Sequence, residues 1–277
     1  MEKLDGKIGV IAGSGQMPVL IVEEAVARHP EGVAGVFAIC VTDDAARRLK
    51  DRIHVERVNL GQAGKAIKLL KENGGRYCVF AGKIEKAPVL AGLRFDARAV
   101  KILARVRDFT DDELMGELVR ELEREGFDVL AQTDILERYV VQPKVYTKRK
   151  PTKKEYEDIS FGLEKARGLA ALGVGQTVVV RNRAVLAAEA MEGTDETVRR
   201  GAKLAEGRGG VVIKAMKPRQ DRRFDIPTVG LATLRLVLSG GLKVLALEAG
   251  SSFLIDREEV VAAANGGKIT VVGVGGR

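Results

Sequence analysis

Short, wholly apolar runs alternate with amphipathic stretches along the chain, and this rhythm is what most constrains its fold. Lys7–Ala12 (KIGVIA) reads as a buried strand that breaks at Gly13-Ser14-Gly15 into a helix over Met17–Arg28. Apolar runs at 33–41 and 55–60 predict the second and third strands, with a helix over Ala63–Glu72 that carries Ile67, Leu69 and Leu70 on one face. The next strand, 77–81, ends at Gly82. Helices follow over 97–107 and Asp111–Arg124, the second opened by Thr110 as N-cap with Glu113 three residues on, the spacing of a capping box. A strand at 127–131 closes the series. Strands and helices alternating at this spacing predict an α/β protein with a parallel, doubly wound sheet.

At about 150 residues per domain, 277 residues suggest roughly two domains. Lys148-Arg149-Lys150-Pro151-Thr152-Lys153-Lys154 gathers five bases and a proline, so the linker is expected near 142–152 as a solvated connection able to touch anionic lipid. The expected division is 1–145 and 146–277. The second part predicts a helix at 154–172, strands at 176–180 and Ala184–Ala188, and a helix at 194–204. A strand at 210–215, a helix at 231–238, strands at 243–247 and 252–255, a helix at 257–264 and a strand at 268–272 complete a second, distinct α/β domain.

Composition removes several classes of function. Hydrophobic residues make up 45% and charged residues 30%, the balance of a globular protein with a core. No apolar stretch reaches the roughly 20 residues that span a bilayer, and the apolar run after the N-terminus is too short for a signal peptide, so a cytoplasmic location is expected. Cys40 and Cys78 lie inside apolar runs and read as buried, reduced thiols. Two histidines, His29 and His54, leave little for a histidine metal site or a Ser-His-Asp triad. Carboxylates and bases must then carry any chemistry. Lys and Arg exceed Asp and Glu by 46 to 38, a charge of +8, which suits nucleic acid, an anionic surface or an anionic small molecule. An aromatic fraction of 4% with no Trp speaks against single-strand stacking platforms.

Five stretches could hold a ligand. Gly13-Ser14-Gly15-Gln16 joins a strand to a helix N-terminus, which suits a phosphate or nucleotide. A plain structural turn and NAD binding are the other readings, but Pro18 stands where the dinucleotide fingerprint has its third glycine. Asp43 and Asp44 follow the second strand in the manner of a ribose-binding acid. Gly82 and Lys83 end another strand at the edge where open α/β sheets bind ligands. Asp108-Phe109-Thr110-Asp111-Asp112-Glu113 could cap a helix or hold Mg²⁺. Glu192-Gly193-Thr194-Asp195-Glu196 offers a helix N-terminus to an anion and two carboxylates to a cation. Finally, 214–225 carries five bases (Lys214, Lys217, Arg219, Arg222, Arg223) and two acids (Asp221, Asp225), without helical spacing. Clustered bases neutralise a pyrophosphate, and an acid among them stays ionised. Asp225, between Phe224 and Ile226, is expected to be the more enclosed acid.

The motifs IAGSGQMP (11–18), FAGKI (80–84), DDELM (111–115), EGTDETVRR (192–200), KAMKPRQDRRFDIPTVG (214–230) and GLKVLALEAG (241–250) run the length of the chain. In that order they resemble the LpxI-type UDP-2,3-diacylglucosamine pyrophosphatases of lipid A biosynthesis. The resemblance implies a Rossmann-like N-terminal domain, a distinct C-terminal domain and a glycolipid nucleotide held between them. It also implies a Mg²⁺- (or Mn²⁺-) dependent hydrolase that yields UMP and 2,3-diacylglucosamine 1-phosphate (lipid X). The family's essential aspartate falls on Asp225, and the chemistry of a diphosphate site makes Glu192, Asp195 and Asp221 candidate auxiliary metal ligands. Lys214 and Gln220 would join the catalytic set. Gly13, Ser14, Gly15, Gln16, Gly82, Lys83, Thr194, Lys217, Arg222 and Arg223 would bind substrate. The expected partners are that small molecule, the inner membrane surface at its periphery and a second copy as homodimer, but no nucleic acid. The competing readings are an NAD(P)-dependent oxidoreductase using the 13–15 loop and a basic module for nucleic acid or anionic surfaces.

Overall fold

The computed structural model describes residues 5–84, 94–107, 110–217 and 221–275, the Asp111 side chain excepted. The chain divides into two compact units. The first is Met1–Glu137 together with Asp221–Asp225, and the second is Arg138–Gln220 together with Ile226–Arg277.

In the first unit the chain runs β1 (Lys7–Ala12), α1 (Met17–Arg28), β2 (Val36–Cys40), α2 (Asp43–Leu49), β3 (His54–Arg57) and α3 (Ala63–Glu72). It continues with β4 (Gly75–Ala81), α4 (Ala97–Leu103), α5 (Asp111–Arg124), β5 (Asp128–Val129) and α6 (Gln132–Ile135). All five strands are parallel, in the order β3-β2-β1-β4-β5. The order reverses between β1 and β4, so a crevice opens at the C-terminal ends of those two strands.

The apolar strands follow from helices covering both faces of the sheet: every residue of β2 is buried. On one face Phe37, Ile39, Cys78 and Phe80 pack with Ile67 and Leu70 of α3 and with Val119 and Leu122 of α5. Gly9 makes that approach feasible, because a Cβ there would lie 2.4 Å from Leu70 Cδ2. Burial pushes the Cys40 thiol up to about 11 and the Cys78 thiol up to about 12, so both stay protonated.

Two local expectations change. The second strand starts at Val36, because Gly32–Gly35 winds into a 3₁₀ turn, and the predicted helix at 97–107 ends at Leu103. The sequence reading missed α2: Thr42 caps it by accepting from Ala45 N at 3.2 Å, and Asp43 and Asp44 occupy its first turn.

The second unit contains α7 (Lys153–Ala171), β6 (Thr177–Arg181), β7 (Ala184–Ala188), α8 (Thr194–Ala205), β8 (Val211–Lys214) and β9 (Thr228–Val229). After these come α9 (Leu231–Ser239), β10 (Val244–Glu248), β11 (Phe253–Leu254), α10 (Arg257–Gly266) and β12 (Thr270–Val274). Its main sheet is mixed, β12-β10-β8-β6-β7. Strands β8, β10 and β12 are parallel, and β6 runs against both neighbours. The β6–β7 turn holds Asn182 and Arg183 at φ 50° and 57°, and their N–H groups donate to the Asp158 carboxylate at 3.0 and 2.6 Å.

The stretch 142–152 is no free solvated connection. Val145 bridges Val272, Tyr146 N donates to Val271 O at 2.9 Å, and Lys148 N donates to Asn265 Oδ1 at 2.8 Å. The open edge of β12 needs partners for its backbone groups, and this segment supplies them. Thr152 and Glu155 then form a full capping box on α7. No helix among the described residues is long and apolar enough to cross a membrane.

Candidate active site

The loops leaving β1 and β4 are joined to each other. Ser14 N donates to Lys83 O at 2.7 Å, Lys83 N donates to Ser14 O at 2.9 Å, and Gly13 N donates to Ala81 O at 2.8 Å. The glycines serve this contact directly. A Cβ on Gly13 would meet Lys83 O at 2.5 Å, and one on Gly82, at φ +88°, would meet Ser14 O at 2.7 Å. Gly15, at φ +101°, donates its N–H to Asp44 Oδ2 at 2.9 Å. That bond, with the one from Arg48, holds the Asp44 carboxyl below its ordinary value. One N–H of the expected phosphate loop is therefore taken by a carboxylate. Gln16 stands at the N-cap of α1 with its side chain exposed and no capping bond, and Pro18 occupies the first turn.

Beside these loops the first unit encloses a cavity of about 550 Å³. Ile11 and Phe80 of the sheet, Ala66 and Ile67 of α3, Ile102 of α4 and Leu118 of α5 give it apolar walls. Gly13, Asn59, Gly82 and Lys83, in loops that follow strands of the sheet, Asp112 at the start of α5, and Asp225 also line it. Sequence reasoning did not anticipate an apolar chamber inside this unit.

Asp225 reaches the cavity on a segment that comes late in the chain. Phe224 is buried in the core cluster of the first unit, and Gln132 N donates to Arg222 O at 3.0 Å. Arg223 pairs with Glu123 at 2.6 Å and with Asp221 at 2.6 Å. Burial raises the Asp221 carboxyl, but the hydrogen bonds from Arg223 outweigh it and hold the group below its ordinary value. The expectation that Asp225 is the more enclosed acid is corrected: Asp225 is exposed and Asp221 half-buried, because Phe224 and Ile226 take the buried positions on either side. Asp225 has φ 55°, a left-handed conformation that Asp tolerates better than most residues.

The second unit gathers other expected residues. Lys214, buried at the end of β8, donates to Thr194 Oγ1 at 3.0 Å and to Thr228 O at 3.3 Å. Thr194 Oγ1 donates in turn to the buried Glu189 at 3.0 Å. Thr233 of α9 donates to Asp195 Oδ1 at 3.3 Å. Glu192 pairs with Arg200 and accepts from Ala190 N at 3.1 Å and Thr197 Oγ1 at 3.3 Å. These backbone and arginine contacts hold its carboxyl low. Lys217 is half-buried and Arg222 exposed. Gln220, Arg219, Asp108, Phe109 and the Asp111 side chain lie outside the described residues. Among the described residues, no three or more His, Cys, Asp or Glu side chains come together as a metal site.

Comparison with known proteins matches both parts of the chain to one family. Residues 7–139 match the LpxI N-terminal domain and residues 142–272 the LpxI C-terminal domain. A protein of Caulobacter vibrioides named UDP-2,3-diacylglucosamine pyrophosphatase LpxI is 35% identical over 278 residues, covering 97% of each chain.

Proposed function

The chain belongs to the LpxI family, and on that premise we propose that it hydrolyses the diphosphate of UDP-2,3-diacylglucosamine to UMP and 2,3-diacylglucosamine 1-phosphate. The observation that carries this reading is Asp225. It lines an apolar cavity that is also lined by the loops at the switch point of a parallel sheet, on a segment anchored by Phe224. A substrate with two hydrocarbon chains and a doubly charged head needs such a boundary between apolar walls and charged groups.

In the reaction water adds its oxygen to one phosphorus while the bridging P–O bond breaks, and the leaving phosphate keeps the bond's electron pair. Asp225, exposed on its segment, orients that water and accepts its proton. Lys83 lines the same rim and offsets charge on the diphosphate. Arg222, on the segment that carries Asp225, serves the same head group in this reading. The bond of Arg223 to Asp221 and Glu123 makes its role one of holding the Asp225 segment.

Mg²⁺ takes one or two carboxylates along with water and phosphate oxygens. Asp225 and Asp112 line one cavity, and their chemistry fits that requirement. When bound, the ion would supply charge neutralisation on the phosphoryl oxygens. Glu192, Asp195 and Asp221 are engaged by Arg200, Thr233 and Arg223 and do not line this cavity. The +8 charge of the chain accords with peripheral contact at an anionic membrane surface, where such a substrate resides.

The test is release of UMP from UDP-2,3-diacylglucosamine with Mg²⁺, by wild type and Asp225→Ala. Wild type should turn over, and the variant should lose at least two orders of magnitude, the typical weight of a general base, with an unchanged circular dichroism spectrum. Turnover by Asp225→Ala close to wild type would remove Asp225 from the chemistry.

A further inference from the structure

One wall of the apolar cavity is charged. On α5 the cavity is lined by Asp112, Leu114, Met115, Leu118, Glu121 and Leu122, residues three and four apart along one helix face. Asp112 marks the rim, and nine residues at 1.5 Å each carry Glu121 about 13 Å along the axis from it. Leu70, fully buried against Gly9 in the middle of β1, lines the cavity as well, so the chamber reaches from the sheet's C-terminal edge to its centre. At that depth a carboxylate is unusual, since only 2% of Glu121 is exposed.

The carboxylate is held there by three guanidinium groups. Arg98 and Arg105 bind it at 2.8 and 2.6 Å, and Arg124 binds it at 3.0 Å. Glu125, one turn on, pairs with Arg98 and with Lys71 of α3 at 2.5 Å. The ion cluster thus ties α3, α4 and α5 together behind the apolar walls. A hydrocarbon chain gains by burying each methylene against Ile67, Leu118 or Ile102, but gains nothing from pressing on a paired carboxylate. Going farther would set hydrocarbon against the ionised cluster and disturb its bonds, which costs more than a buried methylene gains.

We infer that Glu121, clamped by Arg98, Arg105 and Arg124, is the stop that sets the length of acyl chain this cavity accepts. The inference rests on the reading of the cavity as the acyl site of the proposed substrate.

The experiment measures binding rather than turnover. A ladder of saturated fatty acids displaces a polarity-sensitive fluorescent fatty acid from the full chain, in wild type, Glu121→Leu and Leu118→Phe. Affinity for wild type should rise roughly fourfold per added methylene, the equivalent of ~0.8 kcal/mol, up to one length and then level off. Glu121→Leu replaces the charge with an apolar group of similar size, so the break should move to longer chains. Leu118→Phe fills space in front of the stop, so the break should move to shorter ones. It serves alone if Glu121→Leu does not fold. Breaks at one common length in the variants and wild type, or a steady rise without a break in wild type, overturn the inference. Hydrolysis of UDP-2,3-diacylglucosamine is followed on the same proteins. Shifted breaks without hydrolysis would sink the proposed reaction alone, and hydrolysis with unshifted breaks would sink the chain-length stop alone.

Discussion

Replacing Phe224 by alanine should loosen the segment that carries Asp225 while the rest of the first unit stays folded. Phe224 is 5% exposed within the cluster of Phe37, Phe80, Leu122 and Phe127. Burying an aromatic side chain removes about 150–200 Å² from water, worth roughly 4–5 kcal/mol at 25 cal/mol per Å². A compact unfolded reference lowers this to about 3 kcal/mol. The segment is short, and its other ties include the Gln132–Arg222 backbone bond and the Arg223–Glu123 pair. The loss should therefore appear as local opening rather than global unfolding. Gln132 N–H, which donates to Arg222 O, is the reporter. Its hydrogen exchange should accelerate about 100-fold, as ~3 kcal/mol implies, with a parallel fall in UMP release. Phe224→Leu should keep most of the protection. An exchange rate at Gln132 within about threefold of wild type in Phe224→Ala, given a tenfold step per 1.4 kcal/mol, would refute the claim that this ring anchors the segment.

Other expectations concern stability and reactivity. Asp158→Ala removes the acceptor of two backbone N–H groups in the left-handed turn at Asn182 and Arg183. Urea unfolding should show a loss of about 2–3 kcal/mol, and Asp158→Asn a smaller one; a change under about 0.5 kcal/mol, the scale of an ordinary surface substitution, would mean the turn holds itself. Burial pushes the Glu121 carboxyl up, but bonds from Arg105 and Arg124 and the charge of Arg98 outweigh it, so its folded value lies below the ordinary 4.5. Its stabilisation is then present above that ordinary value and lost as pH falls through the folded one. Unfolding free energy should drop below about pH 4.5, and Glu121→Gln should flatten that drop; equal slopes in the two proteins would contradict the assignment. Cys40 and Cys78, protonated and buried, should resist iodoacetamide in the native protein and both alkylate in urea, as read by mass spectrometry.

Much of this architecture could be read from the residues because buried parallel strands are apolar throughout. KIGVIA and VFAIC admit few other interpretations, and the helix limits Met17–Arg28, Ala63–Glu72 and Asp111–Arg124 agree with the spacing of apolar residues. The helix Asp43–Leu49 escaped because its three buried residues, Ala45, Ala46 and Leu49, are too few and too small to make a visible stripe. The basic stretch before α7 looked solvated because charge marks solvent exposure only on average. Its backbone serves the edge of β12 regardless of what its side chains carry. At the candidate site, motifs located Asp225 and the glycine loops, since short runs of unusual composition survive without tertiary information. They could not disclose that Gly13 and Gly82 answer to each other, or that Asp44 sits on Gly15 N–H. Both facts depend on residues far apart in sequence meeting at one edge. The apolar chamber was hidden for the same reason, its walls coming from strands β1 and β4 and helices α3 to α6.

Five residues from the far part of the chain, Asp221–Asp225, complete the interior of the first unit. Severing the polypeptide after Glu137 would therefore not yield two self-sufficient halves. The leading fragment would keep its sheet and helices but carry a hole the size of a benzyl group among Phe37, Phe80 and Leu122. The trailing one would present that missing ring to solvent. Anyone dissecting this protein by expression of its parts should graft a peptide spanning 221–225 back onto the leading fragment, since the gene's midpoint is not a seam in the folded object.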